Sequence, residues 1–146
     1  DETNRRMVTN LRNNFGRLAT QLVSEGKFKE AIAVCDRCVE ITPDQSVRFD
    51  YFILPVAEAY LKAGAAEKGN AILSRLLELS TQDLNYYFRF PKGKIAGLEM
   101  EMQQSLAIIN RIGYIADLYA STELAGKAKS ELQKQYEVYM QKTGKH

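Results

Sequence analysis

Apolar residues recur along this chain at helical spacing, with short polar breaks between the runs. Phe15, Leu18, Ala19 and Leu22 stand at i, i+3, i+4 and i+7, which is one face of a helix. Gly26 follows, a residue able to take the positive φ that ends a helix. Ala31, Cys35 and Cys38 form the inward stripe of a second helix, closed by Pro43. Ile53, Val56, Ala57 and Tyr60 repeat the first stripe and Gly64 its stop, and Gly69, Leu73 and Leu76 repeat the second. Pro55 sits inside this third helix and predicts a kink or a late start. Ile109, Ile112, Gly113 and Ala116 begin one more pair. Ser121-Thr122-Glu123 supplies its second helix with an N-cap and a first-turn acid, and Ala125, Ala128 and Leu132 face inwards. The pattern predicts an all-α chain with helices over 4–25, 28–41, 50–63, 66–79, 82–89, 95–119 and 122–142.

The pairing has a period. A large residue, Leu, a small residue and another large one describe two helices that approach closely at the small position. Phe15, Leu18, Ala19, Leu22, Ala31 and Pro43 resemble the tetratricopeptide repeat, a helix–turn–helix unit of about 34 residues, with Cys35 where an aromatic is usual. In the second copy Gly69 replaces the usual Ala and no proline closes the unit. Gly26 to Gly64 is 38 residues, about four beyond the period, and Gly64 to Ala120 is 56, about 22 beyond it. The chain therefore reads as one domain, 1–146. Repeat 1 covers about 12–45 and repeat 2 about 50–81, then an aromatic insert about 82–95 precedes a degenerate repeat 3 over about 96–142. The expected architecture is a short right-handed superhelix, with the last helix as its polar-backed cap.

NLRNNFGRLATQLVSEGK, DYFILPVAEAYLKAG with EKGN, and YYFRFP resemble, together, the soluble C-terminal tail of a bacterial family of large, multi-spanning membrane proteins. Those proteins are similar to integral-membrane glycosyltransferases that use lipid-linked sugars. The resemblance implies that any transferase chemistry belongs to a membrane part upstream of Asp1. Because the sequence opens on Asp1 rather than Met, an excised or processed product is expected. The resemblance places the tail at the membrane, with the periplasmic face favoured over the cytoplasm.

Composition adds exclusions. Lys plus Arg is 20 against 18 Asp plus Glu, a net charge of +2, too balanced to argue for nucleic acid. Three prolines and nine glycines suit a helical chain, and no signal peptide or membrane-spanning run is visible. The lone histidine, His146, stands at the extreme end, which removes most histidine-dependent catalysis and most zinc sites. Cys35-Asp36-Arg37-Cys38 invites a redox or metal reading. A redox pair of that spacing opens a helix, however, whereas this one lies mid-helix on inward positions, so buried core cysteines are expected. PKGK, 91–94, is too short for a phosphate loop and reads as a surface turn. Glu99, Glu101 and Glu123 read as solvated helix positions. No catalytic residue, metal or cofactor is expected.

The oddest stretch is YYFRFPKGK, 86–94, which holds four of the chain's eight Tyr and six Phe. A base-stacking platform needs a continuous basic groove, which the charge balance does not supply. A membrane foot needs exposed aromatics and clustered cations, and Arg89, Lys92 and Lys94 give three. The favoured reading is a plug. Most of Tyr86, Tyr87, Phe88 and Phe90 cover the flank left by the interrupted repeat, and the three cations face water as a surface-contact cluster.

The function expected is a non-catalytic interaction or scaffolding module attached to a membrane enzyme. The rival is an accessory domain that completes that enzyme's active site or acceptor surface. In a repeat stack the first helix of each pair lines a concave face. Asn13, Arg17, Thr20 and Ser24 in the first copy, with Tyr51, Glu58 and Lys62 in the second, make that face polar and suited to a protein or peptide segment. The membrane domain of the parent chain is one candidate partner, a membrane surface a minor one, and nucleic acid none. The family's clamp for a C-terminal carboxylate needs a Lys and Asn pair, but Gly16 and Thr20 occupy those places.

Overall fold

The computed structural model describes residues 1–144, so His146 lies outside the described residues. The helices are α1 (Glu2–Ser24), α2 (Phe28–Ile41), α3 (Leu54–Lys62), α4 (Ala66–Tyr87), α5 (Lys92–Ile95), α6 (Glu99–Leu118) and α7 (Thr122–Thr143). Single 3₁₀ turns, Tyr51–Ile53 and Ala96–Leu98, precede α3 and α6. The chain is all-α, without a strand among the described residues. The separate helix expected at 82–89 is absent. No breaker stands between Ser80 and Tyr87, so α4 runs on through it and stops ahead of Pro91. Pro55 marks a late start rather than a kink, because it falls in the first turn of α3, where the missing N–H costs nothing.

Three turns share one geometry. Gly26, Gly64 and Ala120 have φ of 74°, 95° and 60°. In each case the next N–H reaches back five residues: Lys27 to the Leu22 carbonyl (2.9 Å), Ala65 to Tyr60 (2.8 Å) and Ser121 to Ala116 (2.8 Å). This left-handed stop satisfies carbonyls that a helix end leaves open and folds the following helix back. The same device thus closes α1, α3 and α6, which gives the chain three helix–turn–helix hairpins.

The helices group into two compact units that divide inside α4, after Arg75. In the first unit α1 packs on both α2 and α3. Its buried stripe is Val8, Arg12, Gly16, Ala19 and Val23, so the predicted stripe is corrected. Leu18 is 48% exposed, and Phe15 and Leu22 are only half-buried. The helix is turned because it meets α3 at Gly16, where a Cβ would lie 3.2 Å from that of Pro55. Ala31, Cys35, Cys38, Ile53, Val56, Ala57, Leu73 and Leu76 are buried as the periodicity requires.

Arg12 is fully buried. Its guanidinium donates to the carbonyls of Thr42 (2.8 Å), Val47 (2.5 Å) and Arg48 (3.0 Å) and to Thr42 Oγ1 (3.3 Å), while Phe49 lies 5.2 Å beneath it. The segment that links α2 to the 3₁₀ turn before α3 is therefore wound around one cation. Asp44 fixes the same loop by accepting from Phe49 N–H (2.8 Å) and Arg75 Nε (2.9 Å).

In the second unit α6 and α7 form a hairpin whose core holds Met102, Ile109, Ile112, Ile115, Ala125 and Ala128. Gln135 is buried there too and donates to Asn85 (3.1 Å) and Glu131 (2.9 Å). α5 packs on α7 through a segment in which Ile95 is buried.

Candidate functional site

The residues predicted for the polar face lie where helical spacing puts them. Asn13, Arg17, Thr20 and Ser24 are exposed along α1, and Tyr51 and Lys62 are exposed with Glu58 half-buried along the 3₁₀ turn and α3. The Gly16–Pro55 approach brings the two rows side by side, since Pro55 shares a stripe with Tyr51, Glu58 and Lys62. Two of the hydroxyls are already engaged. Thr20 Oγ1 donates to the Gly16 carbonyl (2.8 Å) and Ser24 Oγ to that of Gln21 (2.7 Å), both within α1. Gly16 itself is buried against Pro55, so the clamp position faces the core rather than a ligand.

The aromatic turn departs from the plug. Phe88 is buried, at 8% exposure, but Tyr86 is 51% exposed and Tyr87 and Phe90 are half-buried. Tyr86 and Tyr87 end α4, and Phe88 and Phe90 lie in the turn that follows it, where the Phe88 N–H bonds the Leu84 carbonyl (2.9 Å) and, of the four rings, Phe88 turns inwards. Arg89, Lys92 and Lys94 are exposed as predicted.

The two thiols are buried and free. Burial pushes Cys35 up to about 12, with Cys38 and Asp36 adding to the effect. Burial raises Cys38 too, opposed by the Thr42 hydrogen bond and Arg12. Among the described residues no three His, Cys, Asp or Glu side chains converge on a metal position.

Next to Cys35 lies a network absent from the sequence reading. Tyr60 OH donates to Asp36 Oδ1 (2.5 Å), and Lys68 Nζ donates to both Asp36 oxygens (2.9 and 3.1 Å) from 5.9 Å above the Tyr60 ring. Burial, followed by the bond to Asp36, holds the phenol well above its usual value. Burial opposes ionisation of Asp36, but the bonds from Tyr60 and Lys68 and the ammonium charge outweigh it and lower its pKa. A phenol held up and a carboxylate held down leave neither poised to exchange a proton near neutral pH. The network joins α2 to α3 and α4 beside an open groove of about 530 Å³ with Val39, Phe49 and Ile72 in its walls.

A second groove, of about 800 Å³ and open along one side, lies on the α6–α7 hairpin. Leu106 and Ala107 line it from α6, and Leu132, Tyr136 and Met140 from α7. Leu132, Tyr136 and Met140 recur every fourth residue, which makes one continuous stripe along α7. Tyr136 is 49% exposed, an apolar surface on the helix expected to serve as a polar-backed cap. Side-chain amides of Gln103, Asn110 and Gln133 stand at the rim. One end is braced by Glu99, which accepts from Tyr139 OH and from Gln103 Nε2 (3.0 Å), and the other carries the Lys129–Asp117 ion pair. The spacing of Leu132, Tyr136 and Met140 is the signal that could have revealed this groove. Sequence reading assigned Leu132 to the core, where it is only half-buried.

No family model, curated protein or solved structure matches this chain.

Proposed function

We propose that the chain is a non-catalytic interaction module and that the α6–α7 groove receives an extended, uncharged, apolar peptide segment of a partner protein. The groove carries the proposal. Its floor is apolar and rigid, because it is built on two packed helices. The Asn110 and Gln133 amides at its rim can both donate and accept, and Gln103, whose NH2 bonds Glu99 and Tyr139 OH, can accept. They therefore match the backbone groups of an extended segment, whereas a helix has already satisfied its own. The rim offers no unpaired run of charge to select a charged ligand. The polar rows on α1 and α3 are a second, shallower surface available to the same partner. Attachment to a multi-spanning membrane protein belongs to the proposal and rests on the resemblance of the α1, α3 and YYFRFP segments. Spanning helices encoded upstream of Asp1 would support it, and an upstream coding sequence without them would remove it.

The groove is tested by panning a random dodecapeptide display library against the purified chain. Apolar, extended peptides should be enriched, and Ala107→Arg and Tyr136→Glu should abolish their binding. Both positions are exposed, so these variants should melt with the parent. No enrichment, or peptides that bind both variants as well as the parent, would overturn the proposal.

A further inference from the structure

The turn between α4 and α6 has exposed features that neither the core nor the groove uses. From Leu84 to Leu98 there is no acidic residue, while Arg89, Lys92 and Lys94 are all exposed. Arg89 lies 5.4 Å over the Tyr86 ring, and Phe90 meets that ring edge-on at 5.2 Å. Buried Phe88 and Ile95 pin the segment on either side of Pro91, so the exposed Tyr86 ring, the half-buried Phe90 ring and the cations are held rather than loose.

We propose that this turn is a contact site for an anionic lipid surface, with Arg89, Lys92 and Lys94 on the phosphate layer and the Tyr86 and Phe90 rings at the headgroup boundary. An anionic bilayer offers negative charge over a shallow apolar layer, which is the pairing this patch presents. Tyr86 suits that depth, because its ring is apolar and its hydroxyl polar. A nucleic-acid strand needs a basic groove that tracks several phosphates, and three cations on a short turn do not make one. Three cations and two rings give a weak contact, an addition to another anchor rather than a substitute for one. The groove plays no part here, so either proposal can fail alone.

The test is flotation of the full 146-residue chain with vesicles of phosphatidylcholine containing 40 mol% phosphatidylserine, against pure phosphatidylcholine. Binding should appear on the anionic vesicles only and weaken as salt is raised, since these exposed charges are screened. R89Q/K92Q/K94Q should weaken it about a hundredfold, roughly fivefold per cation near the surface. Tyr86→Ser should weaken it severalfold, and Arg89→Lys should retain it. All these side chains are exposed, so unchanged circular dichroism melts should accompany each variant. Equal binding to neutral vesicles, no binding at millimolar lipid, or indifference to the triple variant would each overturn the proposal. So would tighter binding of a labelled single-stranded oligonucleotide, lost in the same variants.

Discussion

Gly69 provides the sharpest test of how the first unit packs. Alanine is the better helix former, and Gly→Ala in an open helix interior gains about 1 kcal/mol. At position 69, near the start of α4, a Cβ would sit 2.8 Å from the Ala57 carbonyl oxygen and 2.8 Å from Leu61 Cγ. Leucine can rotate away, but the carbonyl belongs to the backbone of α3 and moves only with the helix. Overpacking of this kind costs about 1–3 kcal/mol, so once the helix gain is subtracted Gly69→Ala should destabilise by up to about 2 kcal/mol. Gly126 is the opposite case. It lies inside α7 with nothing within 4 Å of its Cβ position, so Gly126→Ala should stabilise by about 1 kcal/mol. The two sites lie in different units, so their effects should add within about 0.5 kcal/mol in the double variant. Urea titrations followed by circular dichroism measure all three. A Gly69→Ala that stabilises as much as Gly126→Ala would refute the close α3–α4 approach.

Arg12→Met should destabilise by about 3 kcal/mol or more, since it strands the carbonyls of Thr42, Val47 and Arg48 together. Arg12→Lys should not rescue it, because an ammonium lacks the planar fork that reaches all three, and urea titration of the pair reads both. Phe88→Ala should cost about 3–5 kcal/mol, whereas Tyr86→Ala should stay within about 0.5 kcal/mol; thermal melts separate them. Cys35, with its folded pKa raised to about 12, should lend stability that is complete below the unfolded thiol value near 8.5 and is lost as pH rises towards 12. Urea midpoints taken upward from pH 8 should therefore fall less steeply in Cys35→Ala than in the parent. Asp36 is lowered, so its contribution runs the other way, present above about pH 4 and lost on acidification, and Asp36→Asn should flatten the acid limb of the same curve.

The periodicity of small and large residues was enough to determine the all-α class, the hairpin turns and most of the buried positions on α2, α3, α4 and α6. Turn chemistry is local. A residue with positive φ and a carbonyl five positions back act within one stretch of chain, so Gly26 and Gly64 announce their turns in the sequence. Ala120 adopts the same conformation without the residue type that would advertise it, at a cost of about 1–2 kcal/mol that packing of α6 on α7 must offset.

What only the tertiary structure decided involves partners distant in the chain. Arg12 reads as a surface charge, and it is buried only because three carbonyls 30 to 36 residues away surround it. That burial, with the close approach at Gly16, turned α1 and left Leu18 outside, against its hydropathy. The end of α4 at Tyr87 and the turn that follows it likewise set which of the four clustered aromatics faces inwards. The α6–α7 groove exists because two stripes from separate helices meet, and periodicity along α7 placed Leu132 in the core without showing that Tyr136 and Met140 continue its stripe into the open. Apolar character can be read residue by residue, but whether an apolar stripe is covered or left open depends on what else the fold brings to it.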